Sequence, residues 1–149
     1  MNHWGAGRFR AYSAGSQPTG KVNPCAVTLL AEMGMTDYQM RSKSWDEFSG
    51  PDAPAMDLIF TVCGSAAAET CPIWPGHPSS AHWGTEDPAA VRGSESFKMD
   101  AFRHAFGVLQ HRVKLCVDLP VESMPPEELK VALAQIGTSL PGLDKGHNP

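Results

Sequence analysis

The run Met56-Asp57-Leu58-Ile59-Phe60-Thr61-Val62 does most to limit what this chain can fold into, because only Asp57 and Thr61 interrupt its apolar character. A short apolar run of this kind is the pattern of a parallel strand covered on both faces. It follows the turn-rich stretch Gly50-Pro51-Asp52-Ala53-Pro54 and ends at Cys63, so the strand spans residues 56–63. The thiol then sits at the carboxyl end of a buried strand, which is the edge where open α/β sheets bind ligands.

The flanking sequence supplies helices. Asn23 is a good N-cap, Pro24 suits the first helical position, Val27, Leu30 and Ala31 make an apolar stripe, and Gly34 closes the segment. Residues 9–14 read as a short strand ahead of the turn-rich loop 15–20, and residues 42–48 as a helical turn. Phe102, Phe106, Leu109, Val113 and Cys116 recur at spacings of 4, 3, 4 and 3, so a helix over 97–116 lays one face on the sheet. Pro125-Pro126-Glu127-Glu128 opens a last helix with Leu129, Ala132, Leu133 and Ile136 on its apolar side and Gly137 as its stop. Strand, helix, strand, loop, helix is an α/β order. Residues 1–120 form the main domain, and 121–149 a C-terminal helix with a polar tail.

Composition narrows the function classes. The 149 residues are 42% hydrophobic and 19% charged, which is ordinary for one globular domain. Twelve basic against sixteen acidic residues give a net charge of −4, with no basic stripe, so nucleic acid is a poor partner. No run of 18 or more apolar residues exists, and the N-terminus lacks the apolar core of a signal peptide, which predicts a soluble cytosolic protein and no membrane partner. Four cysteines are too few for a secreted disulfide scaffold.

The chemistry concentrates in the long loop over 64–95, entered by Cys63 and followed by Cys71-Pro72, His82-Trp83-Gly84 and Asp87-Pro88-Ala89. Cys63 and Cys71 are open to three readings from the residues alone. They are buried structural thiols, or zinc ligands with His77 and His82, or a redox pair whose small-residue loop Gly64-Ser65-Ala66-Ala67-Ala68 lets them meet. A closed Cys₂His₂ site wants tighter spacing within each pair than these residues have. Asp87 is either an acid or a plain N-cap before Pro88. Cys25 reads as a surface or half-buried thiol, Cys116 as core, His104 and His111 as a solvated face, and Trp45, Trp74 and Trp83 as packing or loop anchors.

Cys63, Cys71-Pro72, His82-Trp83-Gly84 and Asp87-Pro88-Ala89, with Ser13-Ala14-Gly15-Ser16 and Val22-Asn23-Pro24, resemble the thiol-dependent arsenate reductases built on the low-molecular-weight tyrosine phosphatase fold. The resemblance covers residues 2–116 and implies a three-layer α/β domain with a parallel sheet. It also implies a mechanism in which a P-loop cysteine attacks arsenate and an acid protonates the leaving oxygen. A second cysteine then expels arsenite, and a third carries the disulfide to a reductant. Carried over by position, Asp87 is the acid, Cys63 the second cysteine and Cys71 the third. The resemblance implies no bound cofactor or metal, but an external reductant of the thioredoxin or glutaredoxin type, and an arsenate- or phosphate-like oxyanion as substrate. A tyrosine phosphatase of the same fold is the rival, and Ala89 after Pro88, in place of the usual aromatic, favours a small oxyanion. A non-catalytic remnant is the third class.

One departure stands out. The family's nucleophile lies in a Cys-x₅-Arg loop, yet the residues six beyond Cys25, Cys63, Cys71 and Cys116 are Ala31, Glu69, His77 and Glu122. The matching sequence begins near the end of the family's first helix, so the first strand and P-loop are expected to be missing from this chain, with a start upstream of Met1. Without that strand, segments 9–14 and 56–63 each offer a bare edge, which predicts homo-oligomers.

Overall fold

A computed structural model describes residues 1–36, 39–64, 74–76 and 78–142 of the chain. The first helix, α1 (Pro24–Glu32), starts where Asn23 and Pro24 predict, with the Asn23 side chain accepting the Cys25 N–H at 2.9 Å. It ends as the Met33 N–H bonds to Leu29 O and the chain turns at Gly34, and Leu29 is its buried residue. Residues Trp45–Phe48 form the expected helical turn, of 3₁₀ type, capped by Ser44.

The strand expected over 9–14 does not form. Asn2 takes the place of a neighbouring strand: its Nδ2 donates to Ala11 O at 2.9 Å and its Oδ1 accepts the Ala11 N–H at 2.7 Å. Arg10, Tyr12, Ser13 and Ala14 are exposed, so no sheet face is gained by pairing there. Just beyond it, Gly15 makes a parallel bridge to Ser44, and Tyr12 meets the Phe48 ring with centroids 5.2 Å apart. The homo-oligomer expectation therefore keeps only the β1 edge.

The apolar run does form a strand, β1 (Leu58–Thr61), shorter than 56–63 and half-buried along its length rather than fully covered. Its partner is β2 (Ser79–His82), parallel, with Leu58 opposite Ser79 and Thr61 opposite His82. Ser-Ser-Ala-His has no apolar pattern and lay inside the loop expected over 64–95. It is a strand because β1 and the last helix hold it, not because of its own propensity.

Ser94 caps α2 (Glu95–Asp118), two residues longer at each end than the apolar spacing predicts. Its buried face is Ala105, Val108, Arg112 and Cys116. The Phe102, Phe106, Leu109 and Val113 stripe is the half-buried flank of that face. The last helix, α3 (Pro126–Thr138), buries Leu129, Leu133 and Ile136, and packs on β2 and α2 while α1 packs on α2. Trp83 and Cys116 join those three residues in one core cluster, with Leu58, Phe60 and Met1 packed against it. Gly137 lies within α3 rather than ending it, and a Cβ there would stand 2.5 Å from His82 O and 3.0 Å from Trp83 Cδ1. Helix and strand approach too closely at that point for any side chain.

Arg8 straps the N-terminal segment to the end of α2. Its guanidinium donates to Val117 O and Leu119 O at 2.7 and 2.9 Å, and forks onto both Glu122 oxygens. These bonds satisfy carbonyls that a helix end leaves open. Among the described residues, no helix is long and apolar enough to cross a membrane.

Candidate functional site

The carboxyl ends of the two strands bring the sequence motifs together. Beyond the ladder, the Trp83 N–H bonds to Thr61 O at 2.8 Å and the Thr85 N–H to Val62 O at 2.9 Å. The half-buried Cys63 thereby leaves β1 alongside Gly84 and Thr85, the approach to Asp87. Thr61 Oγ1 and His82 Nδ1 share a 2.8 Å hydrogen bond at the last rung. Cys71 and His77 lie outside the described residues, so neither the redox pair nor the four-residue zinc set is seen as a whole. Among the described residues, no three His, Cys, Asp or Glu side chains gather in a way that could hold a metal ion.

Asp87 is exposed and caps the 3₁₀ turn Pro88–Ala90, its Oδ1 accepting the Ala89 N–H at 2.9 Å. The plain capping role is therefore real. It does not exhaust the group, because an ionised carboxylate offers about four lone-pair sites. The cap fixes the carboxylate at the head of the turn, where solvent reaches it.

The turn is one wall of a cleft of about 540 Å³, whose other walls are the start of α1 and the start of α2. Cys25, Ala89, Arg92, Lys98 and Phe102 line it. Lys98 bonds to Glu95 Oε1 at 2.8 Å, and that carboxylate raises the ammonium's pKa above its ordinary value. Cys25 thus faces the acid turn, an adjacency that two segments some sixty residues apart do not announce in sequence.

Behind the turn stands Trp83, 2% exposed, stacked on Phe60 with ring centroids 3.9 Å apart, its Nε1 donating to Leu133 O at 2.9 Å. The expectation of a packing anchor holds for this residue. Arg112 is 4% exposed and donates to Trp83 O at 2.8 Å, Gly84 O at 3.0 Å and Ser139 O at 3.3 Å. Burial pulls its pKa below the ordinary guanidinium value, and three carbonyl dipoles stand where a carboxylate usually would. The sequence held a signal for it: position 112 lies four residues from both Val108 and Cys116, on the buried face. Arg112 and Trp83 together tie the stem of the acid turn to α3.

A sequence model of the low molecular weight phosphotyrosine protein phosphatases matches residues 1–122. The chain belongs to that family. Within the low molecular weight phosphatase family, its curated relatives include an arsenate reductase of Halalkalibacterium halodurans, 36% identical over 103 residues, which are 69% of this chain and 70% of that protein. An arsenate reductase of Bacillus subtilis is 33% identical over 106 residues, 71% of this chain and 73% of the relative. That of Bacillus licheniformis is 36% identical over 107 residues, again 71% and 73%. The α/β fold with a small parallel sheet is the phosphatase family's, and the family match stops at residue 122, short of α3.

Proposed function

We propose that this chain carries the cysteine relay of an arsenate reductase, with Cys63 and Cys71 as relay thiols and Asp87 as the acid, and that it does not turn over by itself. The observation that carries this reading is the position of Cys63 at the carboxyl end of β1, beside the approach to Asp87, in a family member whose relatives are named arsenate reductases. Reduction of arsenate to arsenite takes two electrons, which two thiols supply on becoming one disulfide. In this reading a thiolate attacks arsenic, and Asp87 protonates the oxygen that departs as water. The Cys63 thiolate then attacks the arsenic-bound sulfur: an S–S bond forms, the S–As bond breaks, and its electron pair leaves with arsenic as arsenite. Attack by Cys71 on the Cys63 sulfur moves the disulfide to Cys63–Cys71 and releases the first thiolate. An external dithiol of the thioredoxin or glutaredoxin type reduces that bridge in the cytosol. The sequence contains no Cys-x₅-Arg loop, so the first thiolate is assigned to none of its four cysteines.

The test is the disulfide. After mild oxidation, mass spectrometry of a digest should find Cys63 bridged to Cys71, and thioredoxin with its reductase should open the bridge. If both thiols stay open to alkylation after oxidant while Cys25 and Cys116 are consumed, the relay is wrong.

A further inference from the structure

His82 ends β2 opposite Thr61, and the 2.8 Å bond to Thr61 Oγ1 occupies its Nδ1. The other ring nitrogen, Nε2, lies against Gly84, where a Cβ would collide with it. Gly84 is two residues beyond His82, so the imidazole leans along the strand direction toward the carboxyl edge of the sheet. Cys63 leaves β1 at that same edge, two residues beyond Thr61, and the bonds from Trp83 N to Thr61 O and Thr85 N to Val62 O keep the two segments side by side there. The imidazole and the thiol thus leave neighbouring segments at one edge, where the ladder slips by one residue as Thr85 N bonds to Val62 O in place of Cys63 O. The imidazole is also exposed, so it has not been spent on core packing.

We propose that His82 is the positioning residue for the Cys63 thiol: Nδ1–H stays bonded to Thr61 Oγ1, and Nε2 takes the Sγ proton and holds the thiolate as its imidazolium partner. The inference rests on the relay reading, in which Cys63 must attack as a thiolate. The proton moves from Sγ to Nε2 and no electron is transferred. In the tautomer in which Nδ1–H donates to Thr61 Oγ1, the Nε2 lone pair is left toward the edge. Among the described residues, the other charged groups near this edge are placed for other roles. Arg112 on α2 is committed to the Trp83, Gly84 and Ser139 carbonyls, Glu86 and Asp87 in the following turn carry carboxyl groups and no basic nitrogen, and Asp57 lies before the opposite end of β1. Helix α3 meets His82 through Gly137, which carries no charge.

Alkylation of the intact chain by iodoacetamide, followed peptide by peptide in the mass spectrometer across pH 5.5–9.5, reads the Cys63 thiolate directly and needs no arsenate. His82→Gln should slow Cys63 at pH 7 by about tenfold, the effect of one pKa unit, and move its pH midpoint upward, leaving Cys25 unchanged as the internal control. Thr61→Val, which keeps shape but not the hydroxyl, should slow Cys63 by about threefold, because the imidazole loses the partner that holds its ring in place. If His82→Gln does not fold, the Thr61→Val arm decides alone. Cys63 rates and midpoints equal to wild type in the folded variants overturn the proposal. Failure of the relay would show itself separately, as a missing Cys63–Cys71 bridge in the oxidised wild type.

Discussion

Replacing Arg112 with methionine isolates what holds the acid turn in place. The two side chains are of similar length and volume, so little cavity is created, and the change is mainly electrostatic. Two effects oppose each other. Removing a buried cation relieves a desolvation cost of several kcal/mol. Against that, the carbonyls of Trp83, Gly84 and Ser139 lose their donor, and backbone carbonyls cannot be mutated away. The buried Trp83 carbonyl left unsatisfied costs about 1–3 kcal/mol, the part-buried Gly84 and Ser139 carbonyls somewhat less each, and bonds from a charged donor stand at the upper end of the scale. Three such losses outweigh the relief, leaving a net destabilisation of about 2–4 kcal/mol. In a 149-residue domain this lowers the melting temperature by roughly 5–15 °C. Arg112→Lys should recover only part of the loss, because an ammonium keeps the charge but not the planar fork that spans strand and helix. Circular-dichroism melts give the stability, and amide hydrogen exchange over residues 83–90 should rise more than exchange in α1, which shares no bond with Arg112. A methionine variant that melts within about 2 °C of wild type, with unchanged exchange at 83–90, refutes the idea that this guanidinium ties the turn to α3.

Three further outcomes follow from other features. The chain alone should show no measurable arsenate turnover with thioredoxin and its reductase, since no cysteine here has the arginine-bearing loop that cradles an oxyanion; robust turnover surviving Cys63→Ser would place the chemistry elsewhere. Burial pushes the Cys116 thiol up to about 11, so the folded state holds that proton more tightly than the unfolded chain does. Its stabilising contribution is complete below the ordinary thiol range near 9 and is lost as pH rises toward 11, so urea midpoints should fall over that window and fall less in Cys116→Val. Gly137→Ala gains about 0.5–1 kcal/mol of helix propensity but drives a methyl into His82 O and Trp83, an overpacking cost of about 1–3 kcal/mol. The second term should win, and a urea midpoint above wild type would show that α3 can shift away from β2 freely.

The helices and the first strand were legible in the sequence because local chemistry dictates them. Asn23-Pro24 starts α1, Pro125-Pro126-Glu127-Glu128 starts α3, and the apolar run at 58–60 makes most of β1. So were Cys63 at a strand end and Asp87 before its proline, since both follow from neighbours in the chain. What the sequence could not decide is whatever depends on a partner far away along it. Residues 9–14 have strand-like composition, yet Asn2 meets both backbone groups of Ala11 and most of the segment's side chains stay exposed. Ser79–His82 lacks a strand pattern, yet it pairs with β1 because α3 holds it there. Arg112 is a surface residue type placed in the core, and only the convergence of three carbonyls from two distant segments makes that position stable. The tilt of His82 over Gly84 and the meeting of Cys25 with the Pro88–Ala90 turn are tertiary in the same way. Propensity and patterning act over one or two turns of chain, whereas desolvation and hydrogen-bond satisfaction are settled only when every segment has taken its place.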